Sequence, residues 1–147
     1  MSTLQFKTCN KDDLESMAEI FVAAFSKEPW NESWTKENAY IRLLNFYESP
    51  GFAGWVLKDN NQMIGMIVGQ YQIYDTGWIF EIKDLCISEA YERRGLGRYL
   101  CMSLLGELDD KVKDVYLLTR PTLASYYQMM GFETQPMVYM QRPLIKA

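Results

Sequence analysis

Three apolar runs follow one another between Phe52 and Ile87 with only a short polar turn between each pair, and no other feature of the chain constrains the fold as much. Phe52 to Lys58 is joined to Met63 to Tyr74 by Asp59-Asn60-Asn61, and that second run meets Trp78 to Ile87 through Asp75-Thr76-Gly77. Connections this short join only antiparallel neighbours, so the centre of the chain is predicted to be a three-stranded meander.

On either side the apolar period becomes helical. Leu14, Met17, Ala18, Phe21 and Phe25 recur behind Asn10, a helix cap with Asp13 as its capping-box partner, and Pro29 closes that run. Thr35 caps a second helix carrying Tyr40, Leu43, Leu44 and Tyr47, which Pro50-Gly51 stops. After the meander, Leu96, Leu100, Leu104 and Leu108 mark a helix over Gly95 to Leu108. Asp114 to Leu118 then reads as a strand, and Thr122 to Met130 as a short helix ended by Gly131. Leu4 to Thr8 and Pro136 to Arg142 are predicted as the first and last strands. The order β-α-α-β-β-β-α-β-α-β has no linker or repeat and predicts a single domain over residues 1–147. Its class is α/β (α+β), with a mixed, mostly antiparallel sheet of about six or seven strands and helices on both faces.

Composition narrows the chemistry. The chain contains no histidine, which removes Ser-His-Asp triads, Cys-His dyads and histidine metal ligands. Its three cysteines, Cys9, Cys86 and Cys101, lack CxxC spacing, so neither a disulfide framework nor a metal site is expected. A net charge of −4 argues against a nucleic-acid partner and suits a cationic one. No apolar run reaches the roughly 20 residues of a membrane helix. Met1 to Lys7 also lacks the pattern of a signal peptide, so the expected location is cytoplasmic, with no membrane partner.

The segment with most chemical content runs from Glu81 to Arg98. A strand, Glu81-Ile82-Lys83-Asp84-Leu85-Cys86-Ile87, leads through a short loop to Arg93-Arg94-Gly95-Leu96-Gly97-Arg98 at the start of a helix. Helix N-termini present unpaired amides and a partial positive charge, and glycine lets a ligand approach the backbone. Arg93, Arg94 and Arg98 concentrate positive charge in an acidic chain, which fits a polyphosphate. The dinucleotide fingerprint fails for want of a third glycine, and no GK[ST] follows to make a P-loop.

This strand, loop and helix resemble the acetyl-CoA motif of the GNAT superfamily of N-acetyltransferases, which reads Gln/Arg-x-x-Gly-x-Gly/Ala. Tyr126-Tyr127-Gln128-Met129-Met130-Gly131-Phe132 resembles the same family's later YxxxGF motif, and the element order is similar along nearly the whole chain. Glu92 departs from the family's usual Gln or Arg, and Thr119-Arg120-Pro121 stands where the family often has an asparagine. The resemblance implies that the backbone of Leu85, Cys86 and Ile87 pairs with the pantetheine arm of acetyl-CoA. It also implies that amides from Arg93 to Arg98 hold the pyrophosphate. The loop around Trp30 is loosely similar to that of bacterial aminoglycoside acetyltransferases.

Acetyl transfer to a primary amine needs a base for the ammonium, donors for an oxyanion and an acid for the departing thiolate. Without histidine, Glu81 and Asp84 are the candidate bases. Three residues apart, they face opposite sides of a regular strand. Glu81 matches by position the general base of the family's histone-acetylating branch, and Asp84 lies nearer the expected thioester. Tyr127 matches the family's tyrosine acid. Cys86 is read as a buried, inert thiol, so the acetyl group is expected to pass directly in a ternary complex. Trp30, Glu32 and Trp34 suit a pocket for a small-molecule or peptide amine, or alternatively pin their loop to the core. The alternatives to an enzyme are an acyl-CoA-binding sensor or degenerate family member, and an interaction domain whose glycines form a turn. A homodimer through the terminal strand, using Met137 to Met140, is a further expectation from the resemblance.

Overall fold

The computed structural model describes residues 3–145 and builds the meander into the centre of a mixed sheet ordered β1-β2-β3-β4-β5. These strands are Leu4–Thr8, Phe52–Asp59, Gln62–Tyr74, Gly77–Ile87 and Val112–Leu117. Among the first four each strand is antiparallel to its neighbour, and β5 is parallel to β4. The connections dictate this. Asn60 and Asn61 take left-handed φ values of 53° and 70°, a two-residue turn whose twist suits a hairpin. Passage from β4 to β5 instead requires the crossover helix α3, Leu96–Glu107.

Helices α1, Leu14–Phe25, and α2, Lys36–Tyr47, cover one face of the sheet. Met17, Phe21, Ala39 and Leu43 there meet Val56, Met66, Val68 and Cys86. On the opposite face Leu100, Cys101 and Leu104 of α3 meet Leu57, Ile67, Phe80 and Ile82. Burial on both faces explains why β2 and β3 read as nearly continuous apolar runs. The predicted caps form. The Asn10 amide donates to Asp13 Oδ2 at 2.9 Å, and the Asn38 amide to Thr35 Oγ1 at 3.0 Å. The last helix is shorter than expected: a 3-10 turn over Pro121–Leu123 leads into α4, Ala124–Gln128.

The sheet has five strands among the described residues, fewer than the six or seven expected. The missing strand is Pro136 to Arg142, which is irregular and unpaired. Its apolar residues suggest a strand, but a strand needs a neighbouring edge, and here Met137, Val138, Tyr139 and Met140 are 71–85% exposed. At the two ends of the expected domain, residues 1–2 and 146–147 lie outside the described residues.

Two irregularities shape the site. Val68 pairs with Asp84 and Gly69 with Ile82, so Lys83 bulges out of β4. One extra residue reverses the alternation of side chains. Phe80 and Ile82 point toward α3, whereas Cys86 packs with α1 and α2 and Asp84 pairs with Arg42 of α2. Glu81 and Asp84 therefore share the α1–α2 face, which corrects the opposite facing expected of a regular strand. In addition, the β4–β5 ladder ends at Ile82 and Leu117 while β4 continues to Ile87. Beyond Ile82, β4 keeps β3 on one side and has no strand among the described residues on the other.

Candidate active site

A cleft of about 420 Å³ opens where β4 and β5 part. It gathers Leu85, Cys86 and Ile87 of β4, Arg93, Gly95, Leu96 and Gly97 at the start of α3, and Tyr126 and Tyr127 of α4. Trp30, between α1 and α2, forms a further part of the wall. Arg94 and Arg98 do not line it. The Arg94 guanidinium instead stacks 5.0 Å from the Tyr91 ring and donates to the Ala90 carbonyl at 3.2 Å.

The entry to α3 has the form of an anion cradle. Arg93 and Gly95 both adopt left-handed φ, 62° and 76°. Gly95 is the N-cap and provides no side-chain hydrogen bond, so the first amides of the helix keep their donors. A Cβ on Gly95 would meet nothing within 4 Å, whereas one on Gly97 would lie 2.5 Å from the Tyr126 hydroxyl. The loop is therefore open above Gly95 and tightly backed below Gly97. Glu92 is matched by Lys27 of the α1–α2 connection, whose Nζ lies 2.5 Å from Oε1. Lys27, rather than the neighbouring arginines, offsets this carboxylate beside the cradle. Just past β5, Thr119 Oγ1 is the one buried side-chain polar atom among the described residues with no hydrogen-bond partner. Thr119 does not line the cleft. The open cradle of amides fits a phosphate-bearing group, and the unpaired edge of β4 beyond Ile82 fits an amide-containing arm.

The acid–base candidates differ in environment. Asp84 is 6% exposed and receives Arg42 Nε and Nη2 at 3.1 and 3.2 Å. Burial raises its carboxyl above the ordinary range, against the pull of Arg42. Glu81 is equally buried, and its Oε1 accepts from Gln72 Nε2 at 2.9 Å and from the Tyr116 hydroxyl at 3.0 Å, with Lys83 Nζ at 2.7 Å. Burial, with Tyr126, Cys101 and Cys86 nearby, raises the Tyr127 hydroxyl above the usual tyrosine range, so it keeps its proton at neutral pH. Burial likewise raises the Cys86 thiol well above its ordinary value, as befits an inert thiol.

A family model described as the acetyltransferase (GNAT) family matches residues 14–132. The chain belongs to that family. GNAT enzymes transfer acetyl groups and draw them from acetyl-CoA. Solved structures agree in fold. A possible acetyltransferase from Clostridium difficile 630 aligns with a TM-score of 0.84 at 14% identity, covering 98% of this chain and 99% of that one. An aminoglycoside acetyltransferase from an uncultured soil metagenomic sample, in complex with sisomicin, aligns at 0.73 and 16% identity, over 97% of each chain. An aminoglycoside N-acetyltransferase in complex with CoA aligns at 0.75 and 14% identity, over 97% and 96% of the two chains. No curated protein sequence matches the chain significantly.

Within this GNAT domain the acceptor candidates take different positions. Trp30 lines the cleft, stacks edge-on against Phe25 with centroids 5.2 Å apart, and lies under the Arg120 guanidinium at 5.5 Å. Trp34 packs edge-on against Phe21 at 4.8 Å and donates its Nε1 proton to Glu32 at 2.7 Å. Both indoles are thus tied to the core, and Trp30 alone of the three lines the cleft. Sequence reasoning missed Arg42, Gln72, Lys83 and Tyr116, which hold the candidate carboxylates Asp84 and Glu81, and Lys27, which pairs with Glu92 beside the cradle. Gln72 and Tyr116 lie on the strands flanking Glu81, so strand register is the signal that finds them.

Proposed function

We propose that this GNAT protein is an acetyl-CoA-dependent N-acetyltransferase that acetylates a primary amine by direct transfer in a ternary complex. The observation that carries the reading is the meeting, in one cleft, of the open cradle at Gly95, the unpaired edge of Leu85 to Ile87 and the Tyr127 hydroxyl. Acetyl-CoA would supply the activated acetyl group. In this reading the amides of Arg93 to Arg98 bind its pyrophosphate, and the free backbone from Leu85 to Ile87 aligns its arm as an added strand would. Glu81 takes the proton of the acceptor ammonium, directly or through water, and Tyr127 holds a proton ready for the leaving sulfur. Asp84 is less suited to be the base because Arg42 engages both its oxygens. Trp30, Glu32 and Trp34 border the acceptor's approach. Their aromatic and acidic character supports a small-molecule or peptide amine, and similarity in fold to aminoglycoside acetyltransferases makes aminoglycosides worth testing. A second copy of the chain is the proposed partner, and the cytoplasm the proposed location.

Calorimetric titration with acetyl-CoA tests the reading, with Gly95→Glu as control. Saturable micromolar binding is expected, and loss of it in the variant, because a carboxylate placed in the open space above Gly95 repels the phosphates. Absence of binding by the unaltered protein overturns the reading and leaves the glycines as a structural turn.

A further inference from the structure

The Glu81 carboxylate is held asymmetrically. Oε1 accepts two hydrogen bonds and joins one ion pair, and the partners come from three strands: Gln72 Nε2 of β3 at 2.9 Å, the Tyr116 hydroxyl of β5 at 3.0 Å, and the Lys83 ammonium at the β4 bulge with Nζ at 2.7 Å. The donors are themselves tied down. Gln72 Nε2 also donates to Gln70 Oε1 at 3.2 Å, the one Tyr116 hydroxyl proton is shared between Glu81 Oε1 and Gln72 Oε1, the latter at 2.9 Å, and Lys83 Nζ sits 5.8 Å from the centre of the Phe46 ring. Oε2 accepts no hydrogen bond among the described residues. Nor is it buried without a partner, since Thr119 Oγ1 alone has that status there. Oε2 therefore reaches solvent, although Glu81 as a residue is only 7% exposed. Glu81 also lies one residue before Ile82, the point at which β4 and β5 part.

We infer that Tyr116, Gln72 and Lys83 are positioning residues that anchor Glu81 by Oε1 and leave Oε2 as the oxygen that receives the acceptor's proton. The inference rests on the reading of Glu81 as the base. A flexible glutamate visits many rotamers, and a base must sit within hydrogen-bond reach of one particular proton. Anchoring one oxygen from three strands removes that freedom while the other oxygen stays available, and loss of such placement costs up to about a hundredfold in rate. A structural ion pair has no need to spare one oxygen.

The test uses Tyr116→Phe, Lys83→Met, Lys83→Arg and Glu81→Gln, with sisomicin and spermidine as acceptor probes and free CoA thiol as the readout. Tyr116→Phe and Lys83→Met are expected to lower kcat about tenfold each while leaving the KM for acetyl-CoA within about twofold, and Lys83→Arg to recover most of the loss. An untouched kcat in both Tyr116→Phe and Lys83→Met, with Glu81→Gln inactive, overturns the positioning role and leaves the base reading standing. Full activity in Glu81→Gln overturns the base reading itself. A second measurement needs no turnover: the side-chain amide resonances of Gln72 in the free protein. They are expected to shift in both Glu81→Gln and Tyr116→Phe, and resonances unchanged in both would overturn the network.

Discussion

A Cβ on Gly97 would lie 2.5 Å from the Tyr126 hydroxyl and 3.7 Å from the next ring atom, whereas one on Gly95 would meet nothing within 4 Å. The two glycines of the motif therefore serve different ends. Gly95 is needed for its φ of 76°, which costs an L-residue about 1–2 kcal/mol. Gly97 is needed because a tyrosine oxygen occupies the place of its side chain. Gly97→Ala should push Tyr126 off the cleft wall and weaken acetyl-CoA binding about fivefold, near 1 kcal/mol. Adding Tyr126→Phe removes the colliding oxygen and should restore most of the affinity, whereas the same change should not rescue Gly95→Ala. Calorimetry over this double-mutant cycle reads the coupling, and strict additivity of Gly97→Ala and Tyr126→Phe would refute the steric explanation. The motif was legible in the sequence at this scale. The tyrosine behind Gly97 was also visible, but as a residue of the second motif, with nothing in its position to show the contact.

Between elements, the joint of α2 with β4 depends on Arg42 and Asp84. The guanidinium makes two hydrogen bonds to the carboxylate at 3.1 and 3.2 Å and lies 4.7 Å from the centre of the Phe46 ring. Arg42→Met would leave a buried carboxylate without a partner, at a cost of about 3–5 kcal/mol. At 2–4 °C per kcal/mol, the thermal midpoint should fall by roughly 6–20 °C. The sign of the pH dependence follows from burial. The Asp84 carboxyl is already raised with Arg42 present, and losing the cation raises it further. The folded variant then binds a proton more tightly than the unfolded chain does, so the deficit shrinks as pH falls. Thermal melts across acidic to mildly alkaline pH check this, and a deficit that grows toward acid would contradict it. The sequence put Glu81 and Asp84 on opposite faces because spacing along one strand cannot reveal a bulge. A hint was present in Gly69, where a Cβ would lie 2.2 Å from the Glu81 carbonyl. An isolated glycine in a strand often marks a bulge, but its position follows only from the register with the partner strand.

For the whole molecule, what could be read in advance was whatever apolar period and short turns encode locally. The caps, the meander and the crossover helix all form where the sequence puts them, and the family match over residues 14–132 spans the meander and the crossover helix. The expected last strand does not form, because pairing is a property of two segments. Pro136 to Arg142 has the residues of a strand but pairs with no strand among the described residues, and six apolar residues from Met137 to Ile145 are left 71–88% exposed. Meanwhile β5 pairs only with β4, so its outer edge keeps free amides and carbonyls among the described residues. Exposed apolar side chains and an open sheet edge both favour association, which gives the proposed second copy a physical basis. Light scattering of the full chain should therefore report twice the mass of one chain. Deleting residues 136–147 should give a monomer that still binds acetyl-CoA, because the cleft is lined by residues no later than Tyr127. A full-length chain that stays monomeric at about 100 μM would exclude the dimer, since a stable association of micromolar strength or better is saturated there. Loss of acetyl-CoA binding on truncation would instead show that the segment supports the cleft.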